Sequence, residues 1–332
     1  MSISNSNKKN ILITGGAGFI GVNLINFFNS PNNIVVIDNF SLGSQNNIEK
    51  YTNLKPSNII EADLSNRDFA SYAFSKAVEI LEHVDELWHL AANSDIPSGV
   101  ENPSVDLRDT FLTTFYSLKE CKRFNIKKFN FASSSAVYGD WSGVRLQESL
   151  GPLKPISNYG AMKLASEAQI CASAESFLDE VNIFRFPNVV GAPATHGVIH
   201  DFLKKLKINP ERLDVLGDGT QKKSYLHVSE LINAMIYISN LDMKQEKIRI
   251  INLGCNDDGI LVSDIAKIVT KIAAPKAKIN YGLGNKGWVG DIPRFSFDTS
   301  TLNNLGWEPK LSSYEAVLRA AQEIFQDEKP QN

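Results

Sequence analysis

At 332 residues, 43% of them hydrophobic, and with a net charge of -3, the chain can bury a large core in one or two domains. It carries no electrostatic footprint for nucleic acid. No stretch approaches 18 consecutive apolar residues, which excludes a membrane-spanning helix, and the polar first nine residues show no signal peptide. Cys121, Cys171 and Cys255 lack metal-ligand spacing and leave an odd thiol, which points to a reducing compartment. The five histidines form no HxH or HExxH pair. The expected setting is the cytoplasm, with no nucleic-acid or membrane partner.

Residues 10–14, Asn-Ile-Leu-Ile-Thr, read as a buried strand. The run Gly15-Gly-Ala-Gly-Phe-Ile-Gly21 follows and leads into helical spacing over residues 22–29. Its glycines fit both GxxGxxG and GxGxxG. Gly15 suits a tight turn, Gly18 allows backbone to approach a pyrophosphate, and Gly21 lets the helix pack close to the sheet. The helix N-terminus offers N–H groups to phosphate. Residues 34–38 form a second strand ending in Asp38, whose carboxylate suits a ribose 2′-hydroxyl and repels a 2′-phosphate. No arginine lies between Asp38 and Tyr51. The cofactor expected is therefore NAD.

Further strands are expected at 58–61, 86–90, 128–132 and 182–186, with helices near 67–82, 104–124 and 158–178. Such alternation implies a doubly wound parallel α/β sheet of Rossmann type, covered on both faces. Ligands bind at the carboxyl ends of its strands, which gathers Ala91, Ala92, Asn93, Ser134 and Asn188. Tyr159 and Lys163 stand one turn apart on a helix face. A phenol has a reference pKa of about 10, and a neighbouring ammonium favours its phenolate. Beyond residue 187 the pattern loosens into loops, short strands and helices, read as a smaller mixed α/β substrate-binding lobe. The expected division is 8–187 for the NAD-binding domain, with a returning strand and helix near 225–253, and 188–328 mainly for the substrate lobe. Residues 248–253 again read as a core strand.

Six motifs occur in order: Thr14 to Gly21, Ala62-Asp63-Leu64, His89-Leu-Ala-Ala92, Ser133-Ser-Ser-Ala-Val-Tyr-Gly139, Tyr159-Gly-Ala-Met-Lys163 and Arg185-Phe-Pro-Asn-Val-Val-Gly191. Together they make the chain, from about residue 10 to 325, resemble the extended short-chain dehydrogenase/reductases of the NAD-dependent nucleotide-sugar epimerase/dehydratase family. The resemblance implies that the Tyr159 phenolate takes the proton of the sugar C4 hydroxyl while hydride passes to NAD. Lys163 lowers the tyrosine pKa and bonds the nicotinamide ribose. Ser134 donates to the C4 oxygen, with Ser135 as the adjacent hydroxyl facing substrate. The implied cofactor contacts also include Phe19, Ile20, Asn39, Asp63, Leu64, Leu90, Ala91, Ala92 and Phe186.

The fate of the 4-keto sugar divides the family. Its 4,6-dehydratases carry Asp-Glu directly after the hydroxyl residue, where this chain has Ser135-Ala136, and its decarboxylases carry glutamate where Ala136 stands. A 4-epimerase needs no further acid or base, so epimerisation leads. Dehydratase or 4-keto reductase activity, and a non-catalytic NAD-binding subunit, remain the alternatives. By the same resemblance Asn188 touches the diphosphate, Lys223 replaces a phosphate-gripping arginine, and Asp291 meets the nucleotide ribose. Trp288 stands where a second such arginine is usual, and Thr110 and Gly99 stand where an asparagine and a serine are common. Phe295 limits the C2 substituent, which favours UDP-glucose/UDP-galactose, with UDP-uronic acids close behind. His196 and Val198 enter the substrate lobe. A homodimer is implied through helices near 103–124 and 157–175, where Phe111, Phe115, Leu118 and Cys121 recur at helical spacing.

Overall fold

The computed structural model describes residues 8–28, 32–243, 246–287 and 290–327. The chain divides into two compact units. Unit 1 takes residues up to 133, then 162–183 and 241–249, and unit 2 takes 134–161, 184–240 and the chain from 250 onward. The helix Val228–Ser239 groups with unit 2, and the chain re-enters unit 1 only over 241–249.

Unit 1 is built on strands β1 (Asn10–Thr14), β2 (Asn33–Asp38), β3 (Ile59–Glu61), β4 (Glu86–His89) and β5 (Lys128–Ala132). Strand β1 is buried along its whole length, as a β-rich apolar run covered on both faces must be. It pairs in parallel with β2 on one side and β4 on the other. The β2–β3 and β4–β5 pairs are also parallel. With Glu180–Arg185 and Ile248–Asn252 beyond β5, the sheet has seven strands in the order 248–252, 180–185, β5, β4, β1, β2, β3. The expected doubly wound sheet is therefore present. The chain reverses its direction of growth between β1 and β4, and the carboxyl ends flanking such a switch point are where ligands bind in open parallel sheets.

Helices cover this sheet through small or apolar stripes. Helix α1 (Phe19–Phe28) buries Val22, Leu24, Ile25 and Phe28, and Phe28 meets Trp88 edge-on with ring centroids 5.6 Å apart. Helix α2 (Gln45–Tyr51) starts at Ser44, whose hydroxyl accepts from Asn47 N–H. Helix α3 (Arg67–Leu81) starts at Asn66, whose side chain accepts from two backbone N–H groups, and buries Ala70, Ala73, Phe74, Ala77 and Leu81. The helix expected near 104–124 differs from a regular α-helix. It opens with Pro103–Asp106, widens to a π-helical turn at Leu107–Leu112, and resumes as Thr113–Arg123. Such a bulge marks an inserted residue in the helical ladder and often sits at a functional position.

A buried polar column runs through the sheet. Thr14 Oγ1 lies 2.7 Å from His89 Nδ1, and His89 Nε2 lies 3.0 Å from Thr114 Oγ1. Burial, with a smaller push from the Lys163 charge, lowers the His89 pKa to about 3. Unfolded histidine titrates near 6.5, so between about pH 6.5 and 3 the unfolded chain binds the extra proton and stability falls as pH falls. Urea unfolding is expected to show the wild type losing on the order of 2–3 kcal/mol between pH 7 and 4.5 relative to His89→Gln. Equal losses in both proteins would remove His89 as the source.

In unit 2, the helices Val198–Ile208, Val262–Ala273 and Ser313–Asp327 share an apolar cluster that includes Phe202, Leu206, Ile265, Val269, Val317 and Ala321. A four-stranded sheet runs in the order Ile260–Leu261, Lys222–Lys223, Arg294–Phe297, Arg145–Leu146. Asn188–Val190 pairs with Tyr225–His227, and Arg212–Val215 pairs with Lys278–Tyr281. Among the described residues no helix is long and apolar enough to cross a membrane, and no group of three His, Cys, Asp or Glu residues could hold a metal.

Candidate active site

The glycine-rich turn in unit 1 lies tight against the end of β4. Gly15 adopts φ +71°, and a Cβ there would lie 2.6 Å from Ala91 N. A Cβ on Gly21 would lie 2.5 Å from Gly15 O. These two glycines let the turn lie directly on the Leu90–Ala91 backbone at the end of β4. A Cβ on Gly18, by contrast, would meet nothing closer than Gly15 O at 3.4 Å, so there is room beside the backbone there, immediately before α1. Phe19 and Ile20 form the first turn of that helix and are half-buried.

Asp38 ends β2 with its carboxylate held by backbone. Ala17 N–H donates to Oδ2 at 2.9 Å and Phe40 N–H to Oδ1 at 2.8 Å. Burial pushes the Asp38 pKa up, while the N–H groups of Ala17, Phe40 and Asn39 pull it back. A carboxylate has about four lone-pair directions, so this arrangement orients the group and leaves acceptor capacity for ribose hydroxyls. Asn39 is exposed, with Oδ1 accepting from Ser41 N–H at 3.1 Å. Asp63 turns the chain after β3 by accepting from Ser65 N–H at 2.9 Å, and Leu64 is buried. Leu90, Ala91 and Ala92 are half-buried after β4.

Tyr159 and Lys163 lie in one continuous helix, Asn158–Ser176. The 3₁₀ turn Ser135–Val137 is capped by Ser134, whose Oγ accepts from Ala136 N–H at 3.1 Å. Beside Tyr159, Gly160 presses on this turn so closely that a Cβ would lie 2.5 Å from Ala136 O. Within unit 2 the helix start carrying Tyr159 is thereby seated on the turn carrying Ser134 and Ser135. Both hydroxyl residues and Tyr159 are half-buried. Ser135 N–H donates to Phe186 O at 3.0 Å, which places Phe186 with unit 2 beneath the same turn. In unit 1, Lys163 is 2% exposed and its Nζ donates to Ala132 O at 2.6 Å.

A small, open cleft in unit 2 is lined by Val198, Phe202, Val215, Gln221, Lys223 and Asp291, among others. Lys223 Nζ makes a short ion pair with Asp291 Oδ1, and Asp291 Oδ2 accepts from Gly287 N–H at 2.9 Å. Lys223 is also the parallel cross-strand partner of Phe295. Phe295 is half-buried, tilted against Phe297 with centroids 6.1 Å apart. Val198, Lys223 and Asp291 thus line one cleft, whereas Asn188, His196 and Phe295 are not part of its lining. Asn188 is exposed at the start of its short strand, and His196 is exposed with Nδ1 2.9 Å from Thr195 Oγ1. Trp288 lies outside the described residues.

The sequence reading missed Phe202 and Gln221. Phe202 lies one turn beyond Val198 on the same helix face, and Gln221 alternates with Lys223, so local periodicity held a signal for both. It also missed Ser133 and Glu167, joined by a 2.5 Å hydrogen bond from the serine hydroxyl. Glu167 lies one turn beyond Lys163, but nothing in the sequence joins it to Ser133.

Comparison with known proteins matches the description "NAD dependent epimerase/dehydratase family" over residues 11–254. The chain belongs to the NAD-dependent epimerase/dehydratase family. A putative UDP-glucose 4-epimerase of Methanocaldococcus jannaschii is 29% identical over 315 residues, covering 93% of this chain and 96% of that one. UDP-glucuronic acid decarboxylase 1 of Danio rerio is 27% identical over 337 residues, covering 96% and 73%. A crystal structure of a UDP-galactose 4-epimerase superposes with a TM-score of 0.83 at 31% identity, covering 96% of this chain and 99% of that one.

As a member of this family the chain is an enzyme with NAD as cofactor. Its unit 1 residues fit that group: room beside the backbone at Gly18, the N-terminus of α1 behind it, and an oriented carboxylate at Asp38.

Proposed function

We propose that this enzyme is a nucleotide-sugar 4-epimerase acting on UDP-glucose/UDP-galactose or a UDP-uronic acid. The observation that carries the reading is the turn after β5. Ser134 caps it, Ser135 and Ala136 fill it, and Gly160 packs against the Ala136 carbonyl. No carboxylate stands where elimination of water or loss of carbon dioxide needs an acid. What remains is a hydroxyl and a phenol, enough to move one proton on and off the sugar C4 oxygen.

Bound NAD supplies a reversible hydride acceptor for the sugar carbon. Tyr159 takes the C4 hydroxyl proton and returns it, and Ser134 holds the same oxygen by a hydrogen bond. Lys163, one helical turn from Tyr159, favours the phenolate by its charge. The glycine turn, Asp38 and the strand ends at Asp63–Leu64 and Leu90–Ala92 hold the dinucleotide. Lys223 meets a phosphate, Asp291 a ribose hydroxyl, and Asn188 and His196 the polar groups of the substrate. Lysine at position 223 keeps the charge of the usual arginine without its bidentate fork, and its contact with Asp291 positions the ammonium at the cleft. The homodimer and the cytoplasmic location belong to the same proposal. Phe111 and Phe115, stacked at 6.3 Å and half-buried, are aromatic groups that a partner helix could meet.

An NMR time course with UDP-glucose, UDP-glucuronate and UDP-N-acetylglucosamine in separate tubes tests the reading, with absorbance at 340 nm followed alongside. A 4-epimer formed without net NADH is expected from one of the first two. A 4-keto, decarboxylated or 4-reduced product would replace epimerisation by the dehydratase, decarboxylase or reductase reading.

A further inference from the structure

Unit 1 surrounds Lys163 with groups whose geometry is specific to this side chain. The ammonium is buried, donates to Ala132 O, and lies 4.7 Å from the centroid of the Phe131 ring. Glu167 follows one turn later on the same helix, 3% exposed, and is fixed by the Ser133 hydroxyl at 2.5 Å. Consecutive residues at the end of β5 therefore anchor both members of a Lys–Glu helical pair.

Asp106 is the second carboxylate, with no solvent exposure. Its Oδ1 accepts from Asn93 Nδ2 at 2.9 Å and from Thr110 Oγ1 at 3.5 Å, and its buried Oδ2 has no hydrogen-bond partner. The side chain occupies the space over Gly99, where a Cβ would fall 1.8 Å from Oδ2. Any larger residue at 99 would expel it. The π-helical turn Leu107–Leu112 begins at the next residue. A buried carboxylate oxygen without a donor is costly and is tolerated where a cation offsets it. The Lys163 charge in turn bears on His89 of β4, which is neutral at physiological pH, and Asp109 acts on Asp106.

We propose that Asp106 and Glu167 are paired positioning residues that keep the buried Lys163 side chain charged, Asp106 doing so from the space that Gly99 leaves open. Burial lowers the lysine and Glu167 and Asp106 raise it, which leaves it at about 7 with both carboxylates in place. Burial also raises Asp106 itself, partly offset by Asn93, Thr110 and the Lys163 charge. The consequence for Tyr159 rests on the function proposed above; the charge state of Lys163 does not.

The test follows the ¹³Cε resonance of Lys163 in lysine-labelled holoenzyme, assigned by its loss in Lys163→Arg, from pH 5.5 to 9.5. Asp106→Asn keeps the side-chain shape and the acceptor for Asn93 and Thr110 while removing the charge. Its Lys163 midpoint is expected to fall by about one pH unit or more, as is that of Glu167→Gln. Gly99→Ala, which displaces Asp106 without changing its charge, should shift the midpoint the same way. An unmoved midpoint in Asp106→Asn overturns the proposal; if that variant does not fold, unmoved midpoints in Gly99→Ala or Glu167→Gln do so. The alkaline limb of the turnover profile should move down with the midpoint. A shifted resonance with an unshifted profile supports the charged lysine and counts against its assigned part in the epimerase reading.

Discussion

Replacing Tyr159 with phenylalanine is expected to leave the protein folded and NAD bound while lowering turnover by about 100-fold or more, the cost of losing a general base. The substitution removes one oxygen from a half-buried side chain at the first turn of Asn158–Ser176. The helix start itself is held by Gly160 against the Ala136 carbonyl, a backbone contact the variant keeps. Stability should therefore change little, and the loss should fall on turnover and not on the affinity for nucleotide sugar. Steady-state rates measured beside thermal unfolding and the ratio of bound NAD to protein check this. Turnover near the wild-type value would remove Tyr159 from the reaction and with it the reading of Lys163 as its electrostatic partner.

Gly15→Ala should do the reverse, sparing the reacting groups and emptying the cofactor site. At φ +71° an L-residue pays roughly 1–2 kcal/mol in backbone conformation alone. The added Cβ also falls 2.6 Å from Ala91 N and 2.8 Å from both Ala91 Cα and Leu90 C, none of which is a flexible side-chain end. The turn can accept the methyl only by lifting off the end of β4, which misplaces the N–H groups before α1. Destabilisation of at least about 2 kcal/mol is expected. NAD affinity should weaken by about 100-fold, equivalent to a further ~2.7 kcal/mol. Calorimetric titration of the stripped protein with NAD, with urea unfolding in parallel, measures both. Wild-type affinity would show that the turn does not hold the phosphates.

The two substitutions separate the parts of the molecule that local sequence encodes well from those it encodes poorly. The placement of Gly15 in a tight turn and of Asp38 at a strand end is legible because it depends on neighbours close in sequence: a strand, a turn, a helix and the next strand. The same holds for Tyr159 and Lys163, whose spacing equals one helical turn. The π-helical turn at 107–112 was not legible, since residues 104–124 read as one regular helix. Its position follows from how Asp106, Asn93 and Thr110 satisfy one another, and those bonds join separate segments. Helix α2 is not legible either, because seven mostly polar residues give almost no apolar periodicity to read.

By itself the sequence determined the alternation of strands and helices that implies a parallel sheet, the glycine-rich turn and the one-turn spacing of Tyr159 and Lys163, since each element is written within a few consecutive residues. Only the tertiary structure decided that Glu167 is tied to Ser133, that Lys223 reaches Asp291, and that Asp106 fills the space over Gly99. These are contacts between side chains that the chain brings together from a distance. Their partners are selected by burial, where an unpaired charge is expensive, and burial is a property of the fold and not of any local run of residues.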